Sequence, residues 1–321
     1  MSLSKIILTG LLSVATALTT SYVSAQDFPS KPINFIHGLS IGGQTDISVR
    51  VLADSLARVL NTPVIVQSKP GAAQQIAASL LSKAQPDGYT IGHFYQGAFS
   101  TTPLLQAGSV QREDIMPILG WQVSPQLLIV RSDSPYRTLA DLVTSAKKNS
   151  DIPYGHLGKG SVTFMAPTIF SKVAGIQLND IQFKGDADLM TAVLGGHIAM
   201  ASITEVAAAP FLESGKVRAL VTYAKQRTSS FPEIATFEEQ GFRVPIQVPV
   251  GIIFAPKGTP ASIVKKLSDA VQQALLEPKT KAEFARLKLP LYYIDANAVT
   301  ELIDNERKVY QPILKEAGLI K

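Results

Sequence analysis

From Lys31 onward, short apolar runs alternate with longer stretches whose apolar residues recur every three or four positions. The short runs suit strands and the longer ones suit amphipathic helices. Their alternation predicts an α/β fold with mainly parallel sheets. Strands are expected over 33–37, 64–66, 89–94, 126–131, 152–156, 181–183, 198–203, 217–223 and 250–255. Helices are expected over 46–60, after Gly71 up to Pro86, and over 139–148, 163–173, 187–194, 206–213, 261–276, 279–287 and 299–316. In the first helix Ile47, Val51, Leu52, Leu56, Val59 and Leu60 share one face. Residues 95–102 read as a polar loop. Two βα series and a helical tail predict two domains, at the ~150 residues a domain commonly takes.

The N-terminus carries a different signal. Lys5 precedes an apolar run over 6–15, and the small residues Val23 and Ala25 precede Gln26. This is the pattern of a secretory signal over 1–25, cleaved so that Gln26 begins the mature chain. The run is broken by Thr9, Gly10 and Ser13 and is shorter than the ~20 apolar residues of a membrane span. The expected destination lies outside the cytoplasm. The absence of cysteine among 321 residues excludes disulfides, thiolate metal sites and a Cys nucleophile. Stability must then come from a large core, which 46% hydrophobic content can supply. The formal charge of +5 becomes +4 without Lys5, and the basic residues are scattered. Nucleic acid is not an expected partner, although a mild positive field favours anionic ligands.

Two glycine loops are the candidate chemistry. The first, HGLSIGGQTD from His37 to Asp46, comes within one residue of a phosphate-binding P-loop, with Gly38, Gly43 and Thr45 in place. Gln44 stands where the lysine belongs, so a polyphosphate lacks its counter-cation, and an exported protein meets little ATP. What remains is a strand-to-helix turn whose backbone N–H groups and helix N-terminus suit a smaller anion. Thr45 is placed to cap that helix and Asp46 to favour its dipole. The bland alternative is a plain structural turn. The second loop, LGKGSVT from Leu157 to Thr163, also joins a strand to a helix. Ligands of open α/β sheets bind at the C-terminal strand ends. Two such loops facing across a cleft suit a carboxylate, which needs only N–H and O–H donors. The four histidines (37, 93, 156 and 197) show no metal-ligand spacing. Structural roles are expected for them, although His37 and His156 lie next to the loops. No G-x-S-x-G elbow or paired acid and base is present. No cofactor or metal site is expected.

Longer matches run through KPINFIHGLSIGGQTD and its continuation to Gly92, through YGHLGKGSVTFMAPTIF, and through FKGDADLMTAVLGGHIAMAS. They continue in SGKVRALVTYAKQRTSSFPEIATFEEQGF and GIIFAPKGTPASIVKKLSDAVQQAL. Over essentially the whole mature length, the chain resembles the Bug receptors of tripartite tricarboxylate transporters. Lys69-Pro70-Gly71 and Pro86-Asp87-Gly88-Tyr89 are the most specific landmarks.

The resemblance implies a type II Venus-flytrap periplasmic binding protein with two crossover strands, near 127–131 and 248–254. One domain would comprise 26–127 with 250–321 and the other 128–249, with the ligand between them. It also implies a small carboxylate as ligand and membrane permease subunits as partners; the sequence gives no sign of an oligomer, and a monomer is expected. By position, the first-domain site would be Ser40, Gly42, Gly43, Gln44, Thr45 and Asp46, with the loop from Tyr95 to Thr101, carrying Tyr95 and Phe99, beside it. The second-domain site would be His156, Gly160, Ser161, Val162, Thr163 and Phe164, supported by Lys184-Gly185-Asp186 and Thr204-Glu205.

Gly38 and Ile41 replace the prolines usual in the first loop. Leu39, Ile41, Tyr95, Phe99 and Phe164 then either pack as core or line an apolar slot. Such a slot suits an aromatic dicarboxylate such as terephthalate. A non-enzymatic receptor is the expected function. A ligand-sensing partner of a membrane protein, or an enzyme acting on a small acid, are its alternatives.

Overall fold

The computed structural model describes residues 28–321, so the signal expected over 1–25 lies outside the described residues. The chain opens with β1 (Ile33–His37), α1 (Gln44–Leu60), β2 (Val64–Ser68), α2 (Gln75–Ser82) and β3 (Thr90–Tyr95). A 3-10 turn, Ala72–Gln74, leads into α2. Of the stripe expected on α1, Leu52 and Leu56 are buried against Ile33 and Phe35 of β1, together with Val49 and Ala53, while Ile47, Val51, Val59 and Leu60 are half-buried at the edge of that core. Asn61 then closes the helix in the left-handed conformation at φ 48°, its N–H returning to Ala57 and Arg58.

Two four-residue helices, α3 (Gly97–Ser100) and α4 (Thr102–Leu105), occupy the region expected to be a polar loop. They are too short to show a helical period. The strand β4 (Ile115–Val123) was also not expected, because Pro117 and Gly120 interrupt its pattern. Then come β5 (Gln126–Arg131), α5 (Leu139–Lys148), β6 (Pro153–His156), α6 (Val162–Ala174) and β7 (Asn179–Gln182). They are followed by α7 (Asp186–Leu194), β8 (Met200–Thr204), α8 (Glu205–Glu213) and β9 (Val217–Thr222). The chain ends with β10 (Val250–Pro256), α9 (Ala261–Leu276), α10 (Pro278–Arg286), β11 (Leu291–Asp295) and α11 (Ala296–Glu316). The short, irregularly paired β11 likewise escapes the pattern.

These strands make two sheets, ordered β11-β4-β10-β3-β1-β2 and β7-β6-β8-β5-β9. Both are mixed, but not mainly parallel as expected: four of the nine ladders are parallel and five antiparallel. The strands that carry the chain between sheets account for much of this. β5 begins beside Thr204, at the C-terminal end of β8, and β10 begins beside Tyr95, at the C-terminal end of β3. Each enters its sheet from the cleft side and therefore runs against the strands of the βα units.

Each sheet is covered on two faces, giving two separate core regions and the two lobes of a Venus flytrap. The last helix joins both. Val299 and Ile303 of α11 lie in the core with Phe94 and Phe254, whereas Tyr310 and Leu314 lie in the core with Phe170 and Tyr223.

Candidate ligand-binding cleft

The first glycine loop is built for close approach. A Cβ on Gly38 would lie 2.5 Å from Cβ of Gln74, and Gly42 adopts φ 83°. Gly43, not Thr45, is the N-cap of α1, so the expected Thr45 cap does not form. The Thr45 hydroxyl instead lies 3.1 Å from the Tyr95 hydroxyl. Asp46 faces away from the cleft. It accepts from Gly42 N–H (3.1 Å) and Arg50 Nε (3.0 Å) and lies 3.1 Å from Nε2 of His37. His37 is thereby a buried support of the loop, and burial lowers its basicity.

The group that meets this helix N-terminus is the protein's own: the buried carboxyl of Asp186, which comes from the other lobe. Gly43 lies close enough that an added Cβ would be 3.5 Å from Oδ2 of Asp186. Thr204 donates to the same carboxylate through its hydroxyl (2.9 Å). Burial raises the pKa of Asp186, and the donors from Thr204 and Gln44 oppose that rise. The expected first anion cradle therefore serves lobe closure. Ser40 has a similar role, donating to Asp188 (2.8 Å) and, through its N–H, to the Lys184 carbonyl (3.1 Å).

The second loop reaches the cavity. Gly158 and Gly160 adopt φ 123° and 95°, conformations that favour glycine. A Cβ on Gly158 would meet Ala73 at 2.6 Å, and one on Gly160 would meet the Thr102 backbone at 2.5 Å. The lobes thus touch through glycine. Thr101 donates to the Gly160 carbonyl, and Gln106 donates to that of Lys159 at 3.3 Å. His156 is held from both sides: Nδ1 accepts from Gly158 N–H (2.9 Å) and Nε2 lies 3.2 Å from Asp180. Burial lowers its pKa, and its place is under the loop rather than in the cavity.

Between the lobes lies a cavity of about 40 Å³. Of the expected site residues, Tyr95, Ser161, Val162 and Thr163 line it. Ser161 is the N-cap of α6. An α-helix leaves its first N–H groups without intrahelical partners, and here that turn faces the cavity. Thr163 and Ser161 hydroxyls lie 2.7 Å apart and are tied to the loop through Leu157 N–H and the Gly158 carbonyl. Leu39, Leu157 and Pro249 add apolar wall, and none of the lining residues is Lys, Arg or His.

Of the five residues read as either core or slot, Leu39 and Tyr95 line the cavity and the other three do not. Phe99 packs edge-on to Phe94 and Phe254 in the first lobe's core. Phe164 is buried in the second core beside His156. Ile41 points to solvent, 67% exposed. An α/β loop ending on a core-covering helix turns such side chains inward, where burial gains most. The cavity is also well below the ~150 Å³ of a void that takes benzene. A ligand the size of malate and an aromatic ring alike need the lobes further apart than this closure.

Gln96, Gly97 and Ala98 line the cavity from the loop expected beside the first-domain site, whereas Gln74, Gln126, Thr102 and Glu306 were not expected. Gln126 donates its amide to Ser124, leaving Oε1 buried without a partner, and Gln74 Oε1 is likewise unpartnered. Glu306 had a legible signal. With Val299, Ile303, Tyr310 and Leu314 it lies on one apolar stripe of α11, where a carboxylate is out of place.

Residues 48–319 match the model of the tripartite tricarboxylate transporter family receptor. The UPF0065 protein in the gbd 5′ region of Cupriavidus necator is 31% identical over 96% of this chain and 94% of its own length. BugT of Bordetella pertussis is 27% identical over 95% of each. Among solved structures, the periplasmic binding protein BugD superposes with a TM-score of 0.85 at 29% identity, covering 92% of this chain and all of its own. MatC from Rhodopseudomonas palustris with bound malate gives 0.84 at 25% identity, covering 89% of this chain and all of its own. With two lobes closed on a cation-free cavity and a family match over most of its length, the chain belongs to the tripartite tricarboxylate transporter receptor family.

Proposed function

We propose that this protein is a periplasmic solute receptor that encloses one compact aliphatic carboxylate and delivers it to the permease subunits of a tripartite tricarboxylate transporter. The lobes that close are 28–127 with 250–321, and 128–249, with the last turns of α11 strapped onto the second. The first turn of α6 carries this reading: a helix N-terminus with Ser161 and Thr163 hydroxyls faces an interlobe cavity lined by no side-chain cation. Neutral donors suffice for a carboxylate, whereas polyphosphate recruits Lys, Arg or a metal.

The unpartnered acceptors of Gln74 and Gln126 favour a ligand that also donates, such as a hydroxy acid. Malate, bound by MatC, has this chemistry. The match to a receptor family supports a ligand held and released unchanged rather than converted.

Thermal unfolding of ligand-free protein against malate, succinate, citrate, terephthalate and a neutral sugar tests this. A ligand at about one hundred times its Kd adds roughly 2.7 kcal/mol to the folded state. A rise of the midpoint with malate or succinate and none with the sugar is expected. A rise with the sugar alone, or none with any acid, contradicts the reading.

A further inference from the structure

One wall of the cavity is a carboxylate, which no anionic ligand would choose as a neighbour. Glu306 reaches the cavity from α11 and is 4% exposed. Its Oε1 accepts from Gln96 Nε2 at 3.3 Å. That orientation of Gln96 is set by Val250, whose N–H donates to Gln96 Oε1 at 2.7 Å. The other oxygen of Glu306 contacts the Ser100 hydroxyl. Ser100 also lies 3.1 Å from the Gln96 carbonyl, which can only accept. A hydroxyl carries one proton. If Ser100 gives it to Gln96, the contact with Glu306 requires a proton on the carboxyl itself.

No cation offsets Glu306. Gln96 and Ser100 face it from α3, and Tyr310 lies one turn further along α11, with its own ionisation suppressed by burial. On neighbouring elements, Arg112 pairs with both Glu113 and the exposed Asp304, and Asp295 caps the exposed start of α11. Two ionised carboxylates in one dry cavity repel strongly, and the site resolves this by protonating one of them.

We propose that Glu306 selects ligand charge: an anion is enclosed only when Glu306 carries its proton, so that above neutral pH each carboxylate captured takes a proton from solution. This rests on the carboxylate-receptor reading. Burial already pushes Glu306 up to about 7, and a ligand carboxylate beside it moves it higher. Affinity then falls as pH rises through that value, because the empty receptor must first regain the proton.

Calorimetric titration with malate at pH 6.5, 7.5 and 8.5, in buffers of different protonation heat, tests the proposal on wild type and Glu306→Gln. Wild type is expected to lose more than tenfold in affinity from pH 6.5 to 8.5 and to take up close to one proton at the upper end. Glu306→Gln, neutral at every pH, is expected to bind more than tenfold tighter than wild type at pH 8.5 and to show no pH dependence. Flat wild-type affinity with no buffer-dependent heat overturns the proposal, as does loss of malate binding by Glu306→Gln at every pH. Binding without proton uptake sinks this inference alone. Failure of both proteins to bind any acid of the panel sinks the receptor reading and this inference with it.

Discussion

A carboxylate taken out of water needs donors for its oxygens, and Asp186 and Glu306 meet that need unequally. Asp186 draws on Thr204 in its own lobe and the Gln44 N–H across the cleft. Glu306 has one amide and a shared hydroxyl. Its folded-state value of about 7 stands above the ordinary 4.5. The neutral form is therefore favoured by folding. Between those values the unfolded chain is ionised while the native carboxyl keeps its proton, so stability falls as pH rises and levels off above about 7. The full displacement is worth roughly 3 kcal/mol. Glu306→Gln should thus unfold several degrees above wild type at pH 8, with the gap closing by pH 4.5. An equal gap at both pH values would contradict this.

Gly97 offers a cleaner probe of closure. It lies in α3 without a left-handed φ, yet a Cβ there would come within 2.8 Å of the Gly160 carbonyl across the cleft. Gly97→Ala should keep the unliganded midpoint within about 1 kcal/mol of wild type and cut malate affinity at least tenfold. Undiminished affinity would show that closure does not need this contact.

At the scale of elements, the turn before α2 stores strain. Ala72, Ala73 and Gln74 follow Gly71 with φ of 46°, 52° and 73°. Non-glycine residues in that region cost about 1–3 kcal/mol each. The turn wedges between Gly38 and Gly158 and places Gln74 at the cavity. Ala72 is exposed, so Ala72→Gly should relieve strain without losing packing and stabilise by up to ~1 kcal/mol; a loss of stability in denaturant unfolding would refute the strain.

Elements with a clear period were legible in the sequence. The expected spans 33–37 and 139–148 coincide with β1 and α5, and α9 ends where its stripe does. Strand β4 was hidden by Pro117 and Gly120, and α3 and α4 by their brevity. The site was half legible. Glycine loops announce backbone approach, so both were found, but spacing does not reveal which group a helix N-terminus faces. Asp186, nearly 150 residues from Gly43, supplies it for α1.

At the scale of the molecule, closure brings together elements that are far apart in sequence. The cavity draws its wall from β3, α3, β5, α6, β8 and α11, and no local pattern encodes that meeting. Contacts across the cleft combine hydrogen bonds and glycine-mediated backbone approaches with a few apolar side chains such as Leu39 and Leu104. Such an interface opens and closes at modest cost, and a ligand favours closure only by touching both lobes.

The location of malate in a crystal of the complex tests the central claim most directly. The account predicts a malate carboxylate about 3 Å from the first N–H groups of α6 and the Ser161 or Thr163 hydroxyl, without a Lys or Arg side chain in contact. A carboxylate found instead at the start of α1 in place of Asp186, or paired with a surface cation, would contradict it.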